Sequence, residues 1–109
     1  MHSGVAMFGS FVVDLTTRQK NLPVPGQTII GSWFRMGPGG KGSNQAVAAH
    51  RAGAEVKLIT KLGKDPFASV ALDFYRAEGI PTGHVLIDDE HATGIALIMV
   101  DEISGQNQI

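Results

Sequence analysis

Cysteine is absent from the 109 residues. That excludes disulfides, a thiol nucleophile and cysteine-ligated zinc. Charge is sparse, at 17% of residues, and nearly balanced: nine basic against ten acidic side chains leave a net charge of −1. No basic run stands out, so the chain lacks the electrostatic footprint of a nucleic-acid binder. No apolar stretch is long enough to span a bilayer, and the first residues lack the basic region and apolar run of a secretory signal. A soluble, cytoplasmic protein with neither nucleic acid nor membrane as partner is expected. What the chain has in quantity is glycine, 14 residues, near double an average share of about 7%. The excess points to tight turns or to backbone lying close to a ligand.

A hydrophobic share of 43% reads as globular, and the length suits one domain or a piece of one. Residues 5–8 form a short apolar run ending at Gly9-Ser10, which reads as a buried strand entering a turn. Residues 11–14 continue extended. Pro23, Pro25 and Gly26 mark a turn, and residues 28–36, rich in β-branched and aromatic side chains, read as a strand. The glycine-rich segment 37–42 follows. Ser43 or Asn44 is expected to cap a helix over 45–52, with Gly53 as its stop. Residues 56–62 read as a strand. Asp65-Pro66 opens a second helix, with an acidic N-cap and proline at the first helical position. Phe67, Val70, Ala71 and Phe74 recur on one face of it as expected core, and Gly79 ends it. Residues 85–87 and 93–100 read as strands beside polar turns at 88–91 and 101–106. Strands alternating with helices predict an α/β fold with a mostly parallel sheet, interrupted by two hairpin-like insertions. Asn107, Gln108 and Ile109 follow a turn that should launch a return strand. A strand without its partner exposes unpaired backbone groups, so the chain is expected to be a fragment.

The segment Gly37-Pro38-Gly39-Gly40-Lys41-Gly42 carries the functional signal, because glycines ahead of a helix N-terminus bring free N–H groups and a favourable dipole to a polar ligand. A P-loop would need its first glycine at Arg35 and a hydroxyl residue where Gly42 stands, so that motif fails. Gly37, Gly39 and Gly42 do fit the GxGxxG dinucleotide pattern. The acid expected about 20 residues on is missing, however, since residues 57–63 contain none.

Gly39-Gly40-Lys41-Gly42-Ser43-Asn44-Gln45-Ala46 resembles the first signature of the ribokinase-like (PfkB) carbohydrate kinases. Other segments are similar in the same order: Gly9-Ser10 with Asp14, the turn from Pro23 to Thr28, Gly63-Lys64-Asp65 through Gly79-Ile80, and Thr93-Gly94. The resemblance covers essentially the whole chain. It implies the N-terminal part of a three-layer αβα ribokinase-like (Rossmann-like) domain, with a small β-lid near residues 11–36 and 93–109. It also implies ATP-dependent phosphorylation of a sugar hydroxyl, with ATP and Mg2+ as the parent kinase's cofactors and neither expected to bind this fragment alone. The substrate-binding residues it implies are Asp14, Gly39, Gly40, Lys41 and Asn44. A carboxylate such as Asp14 accepts two hydroxyl hydrogen bonds, and charge-assisted bonds are strong. Asn44 offers a donor and an acceptor. The Gly39-Gly40 pair is implied as the hinge of a lid that closes over substrate and excludes water.

Ribokinases commonly place an asparagine two residues before that aspartate. Val12 stands there, which puts ribose in question and leaves another sugar or a polyol open. The family's catalytic aspartate, anion hole and ATP site lie in its C-terminal part, so this fragment is expected to be inactive and to contain no catalytic residue. Two other classes stay open: a dinucleotide-binding fragment, and a non-catalytic sugar-binding or dimerisation module. Lys41 reads equally as a solvated loop lysine. Trp33 and Phe34, on opposite faces of a lid strand, could cover the sugar or pack on a second lid in a homodimer. Of His2, His50, His84 and His91 no pair has a metal-ligand spacing, and the acidic turn at Asp88, Asp89 and Glu90 reads as solvated.

Overall fold

Alternation with a period of two sets up the first part of the molecule. Along β4 (Glu55–Gly63) Val56, Leu58, Thr60 and Leu62 are buried, while Glu55, Lys57 and Lys61 are exposed. One face of this strand is therefore covered and the other open. The structure, a computed structural model, describes residues 4–109 and divides them into two units. His2, named among the histidines above, lies outside the described residues.

The first unit comprises residues 4–13 and Pro38–Gly94. Its sheet has the order β1-β4-β5, where β1 is Gly4–Phe8 and β5 is Val85–Asp88, and both pair with β4 in parallel. Val5 aligns with Val56 and Phe8 with Ile59; Thr60 aligns with Val85. Helix α1 (Lys41–Arg51) packs on β1 and β4, and α2 (Pro66–Glu78) packs on β4. The helices are joined directly. The Ser43 and Tyr75 hydroxyls lie 2.7 Å apart, His50 Nε2 donates to the Glu78 carbonyl at 2.7 Å, and Arg51 pairs with Glu78. Phe11, Val13, Ala46, Val56, Leu58, Leu62, Ala71, Tyr75 and Ile80 form the core. The strand over 5–8 is thus covered on one face only, and Phe8 is 85% exposed on the other.

The helix α2 matches its expected limits because its signals are local. The Asp65 carboxylate accepts from Ala68 N, Pro66 takes the first helical position, and Gly79 caps the C-terminus in the left-handed region at φ 83°, where glycine alone escapes the Cβ penalty. Phe67, Val70 and Phe74 are only half-buried, however. The residues fully withdrawn from solvent are Ala71 and, one turn later, Tyr75. The expected cap of α1 also needs correction. Neither Ser43 nor Asn44 caps it: the helix begins earlier, with Gly40 as N-cap and no side-chain cap hydrogen bond.

The second unit comprises Asp14–Gly37 and Ile95–Ile109. Its sheet has the order β3-β2-β6-β7, built from β2 (Val12–Gln19), β3 (Trp33–Gly39), β6 (Gly94–Asp101) and β7 (Asn107–Gln108). Three of these strands begin or end in the first unit, so the chain passes between units after Val13, Gly37 and Gly94. Residues 28–32 are not strand as expected. Their neighbour β2 stops at Gln19, and Ser32 N ends the pairing on the Arg18 carbonyl at 2.8 Å. Arg18 stacks its guanidinium 4.7 Å from the Trp33 ring centre. The return strand β7 forms and pairs antiparallel with Met99 and Val100. Asp101 builds the turn before it, accepting from Ile103 N and Ser104 N.

Candidate functional site

The candidate site is the junction between β3 and α1, where the glycine-rich segment turns from strand into helix. Gly40 makes the turn at φ 97° and ψ 134°, a backbone conformation that L-residues bearing a side chain rarely adopt. A Cβ on Gly40 would stand 2.5 Å from the Ser10 carbonyl oxygen and 2.9 Å from Phe11 Cα. Two residues on, the backbones of β1's end and α1's start touch. A Cβ on Gly42 would lie 2.6 Å from Gly9 Cα, and one on Gly9 would lie 2.7 Å from Gly42 Cα. The glycines here are therefore required by backbone packed on backbone.

That packing leaves a helix start with unusual partners. Ser43 N donates to the Ser10 carbonyl at 3.2 Å, and Asn44 N donates to the Gly40 carbonyl. Lys41 and Gly42 take the first two helical positions, where an amide has no acceptor within the helix itself. The first turn carries no acidic side chain, and Lys41 is exposed at its first position. An ammonium group here adds to the positive end of the helix dipole, so the turn favours an electron-rich partner.

Of the residues singled out from sequence, Gly39, Gly40, Lys41 and Asn44 are contiguous in this turn. Gly39 is buried, Gly40 half-buried, and Lys41 and Asn44 exposed. Asp14, half-buried on β2, is the first residue of the second unit. Val12 precedes it in the first unit, and its side chain lies over Gly94, where a Cβ would meet Val12 Cγ1 at 3.0 Å. Asn44 points outward, while its neighbour Ser43 is 2% exposed and turns into the core.

A second polar cluster holds the chain just before Gly94. The Asp65 carboxylate accepts from Thr93 N and Thr93 Oγ1 as well as from Ala68 N, and Gly63 N donates to Thr93 Oγ1 at 2.9 Å. The Thr93 amide bond is the chief reason the Asp65 carboxyl sits below the usual carboxylate range. The carboxylate of Asp88 closes its own turn by accepting from Glu90 N and His91 N, with Lys61 3.3 Å away. The Glu90 amide above all holds that acid well below its ordinary value. The sequence carries no signal for the bonds that join Ser43 to the Ser10 carbonyl and to Tyr75: Ser43 reads as a cap, and the apolar spacing of α2 picks out Phe74 rather than Tyr75.

Three kinds of comparison agree on kinship. The profile described as pfkB family carbohydrate kinase matches residues 3–109. The ribokinase of Bacillus subtilis is 36% identical over 105 residues, covering 96% of this chain and 35% of that protein. The structure of a ribokinase from Giardia lamblia superposes with a TM-score of 0.86 at 37% identity, covering 99% of this chain and 32% of that one. An Arabidopsis thaliana ribokinase, solved with ribose and ATP, superposes with a TM-score of 0.83 at 26% identity and covers 99% and 35%. The chain spans about a third of the length of these relatives.

Proposed function

Since the chain belongs to the pfkB family of carbohydrate kinases, we propose that it supplies the sugar-binding part of an enzyme that moves a phosphoryl group from ATP to a sugar hydroxyl. The observation that carries this reading is the turn at Gly40. It delivers the first turn of α1, free of a side-chain cap, with an exposed ammonium and an exposed carboxamide together. In this reading Asp14 accepts two sugar hydroxyls, Asn44 donates and accepts, Lys41 and the helix amides take electron-rich oxygens, and Gly39-Gly40 let the backbone approach the ring. Phosphoryl transfer depends on holding the acceptor hydroxyl in line with the donor, and these residues do the holding. ATP with Mg2+ supplies the phosphoryl group. The chain alone is expected to bind sugar without turning it over.

Val12 narrows the substrate. A valine methyl cannot take a hydroxyl hydrogen bond, and a site without that partner favours a sugar presenting C–H there over one that buries an unpaired hydroxyl. The second unit also exposes Trp33, Phe34, Met36, Ile95 and Leu97, which supports self-association through this sheet. Isothermal calorimetry of the complete protein against pentoses, 2-deoxypentoses, hexoses and nucleosides tests the reading. One sugar class should bind, and Asp14→Ala should weaken it at least tenfold. Binding of none, or binding indifferent to Asp14→Ala, would refute it.

A further inference from the structure

Helix starts are normally fixed from within, by a side chain at the N-cap that accepts a first-turn amide. Gly40 has no side chain, and no side-chain cap is made. The first turn of α1 is instead fixed from outside, at one residue. Ser43 gives its amide to the Ser10 carbonyl and shares its hydroxyl with Tyr75 Oη at 2.7 Å. Both side chains are buried, Ser43 at 2% and Tyr75 at 0% exposure. A serine in a helix usually bonds to nearby backbone; this one bonds to a side chain 32 residues away.

Tyr75 also grips the other side of the same turn. Its ring stands edge-on to Phe11, with centroids 6.0 Å apart and planes at 71°. Phe11 adjoins Ser10, whose carbonyl holds Ser43 N. One side chain of α2 therefore braces both the β1–β2 connection and the start of α1. Burial pushes the Tyr75 hydroxyl up from its ordinary value, with the Ser43 bond opposing, so the pair stays a neutral hydroxyl pair.

We infer that Tyr75 is a positioning residue for sugar binding: through Ser43 and Phe11 it sets where Lys41 and Asn44 stand. The inference rests on the reading of this turn as the sugar site. It differs from a purely structural role in one respect, since loosening the turn should weaken sugar binding and leave the nucleotide side alone.

The test is steady-state kinetics of the complete protein with Tyr75→Phe, Ser43→Ala and the double variant. Each single variant strands one buried hydroxyl, while the double variant removes both, and stranded groups cost more than absent ones. Each single change should raise the KM for sugar about five- to tenfold with the KM for ATP within about twofold, and the double variant should be no worse than either single one. If Tyr75→Phe fails to fold, Ser43→Ala, which breaks the same bond from the other side, carries the same expectation. Sugar KM unmoved in folded variants of an active enzyme, even with a lowered melting temperature, would overturn the inference while leaving the functional reading intact. A wild-type protein that phosphorylates no sugar would overturn both.

Discussion

Replacing Gly42 by alanine sets two effects of opposite sign against each other. Within a helix, alanine is favoured over glycine by about 1 kcal/mol. Against that, the new methyl would sit 2.6 Å from Gly9 Cα, 2.9 Å from Gly9 C and 3.0 Å from Ser10 N. All three are backbone atoms, which cannot swing aside as a flexible side chain can. Overpacking of this kind costs about 1–3 kcal/mol and occasionally more. The top of that range applies here, because α1 and the end of β1 must separate to admit the methyl. The net expectation is a loss of about 2 kcal/mol. At a urea m-value near 2 kcal/mol/M that lowers the unfolding midpoint by about 1 M. Gly83→Ala is the control. Nothing lies within 4 Å of its would-be Cβ and its φ is not positive, so it should be neutral or stabilising by up to about 1 kcal/mol. Urea titrations of both variants followed by circular dichroism settle the matter. A Gly42→Ala protein as stable as Gly83→Ala would refute the backbone contact on which the site's geometry depends.

Acid should loosen the cluster at Thr93. The folded state depresses the pKa of Asp65 and of Asp88, so below the unfolded carboxylate value of about 4 the unfolded chain binds more protons than the native one. Stability from these groups is complete above that pH and is lost as pH falls through their folded values. An acid titration of Asp65→Asn should show a shallower decline than wild type below about pH 4, from a lower plateau; a parallel decline would show that Asp65 does not contribute. Light scattering should find a dimer whose dissociation is promoted by Phe34→Glu with Leu97→Glu, and a wild-type monomer at high concentration would exclude association through the second unit's sheet.

How much was legible beforehand follows from how far apart the interacting groups are in sequence. Helix α2 was readable end to end because Asp65, Pro66 and Gly79 act on backbone within four residues of themselves. Strand β4 announced itself by alternation. The start of α1 was misplaced because its anchors are the Ser10 carbonyl and the Tyr75 hydroxyl, and no local pattern encodes a partner 32 residues away. The start of β3 was misplaced because a β-rich sequence forms strand only where a neighbour offers backbone to pair with, and β2 ends at Gln19. The candidate sugar-binding residues came from a family signature. Tyr75 belongs to no signature, and its place beside Ser43 and Phe11 shows only in the packing.

The three passages of chain between the units bear on the order in which the protein can assemble as it is made. The first unit's central pair needs only β1 and β4, so its parallel sheet can begin once residue 63 is available. The second unit cannot close so early. Strands β2 and β3 are made early relative to β2's other sheet partner, β6, which is synthesised only after α1, β4, α2 and β5. At typical translation rates of about 5–20 residues per second, that edge of β2 waits several seconds with its backbone groups unpaired. An edge of that kind recruits other strands. The growing chain is therefore most exposed to mispairing while residues 20–93 emerge, and a slowed ribosome in that stretch would be felt in yield before it was felt in activity.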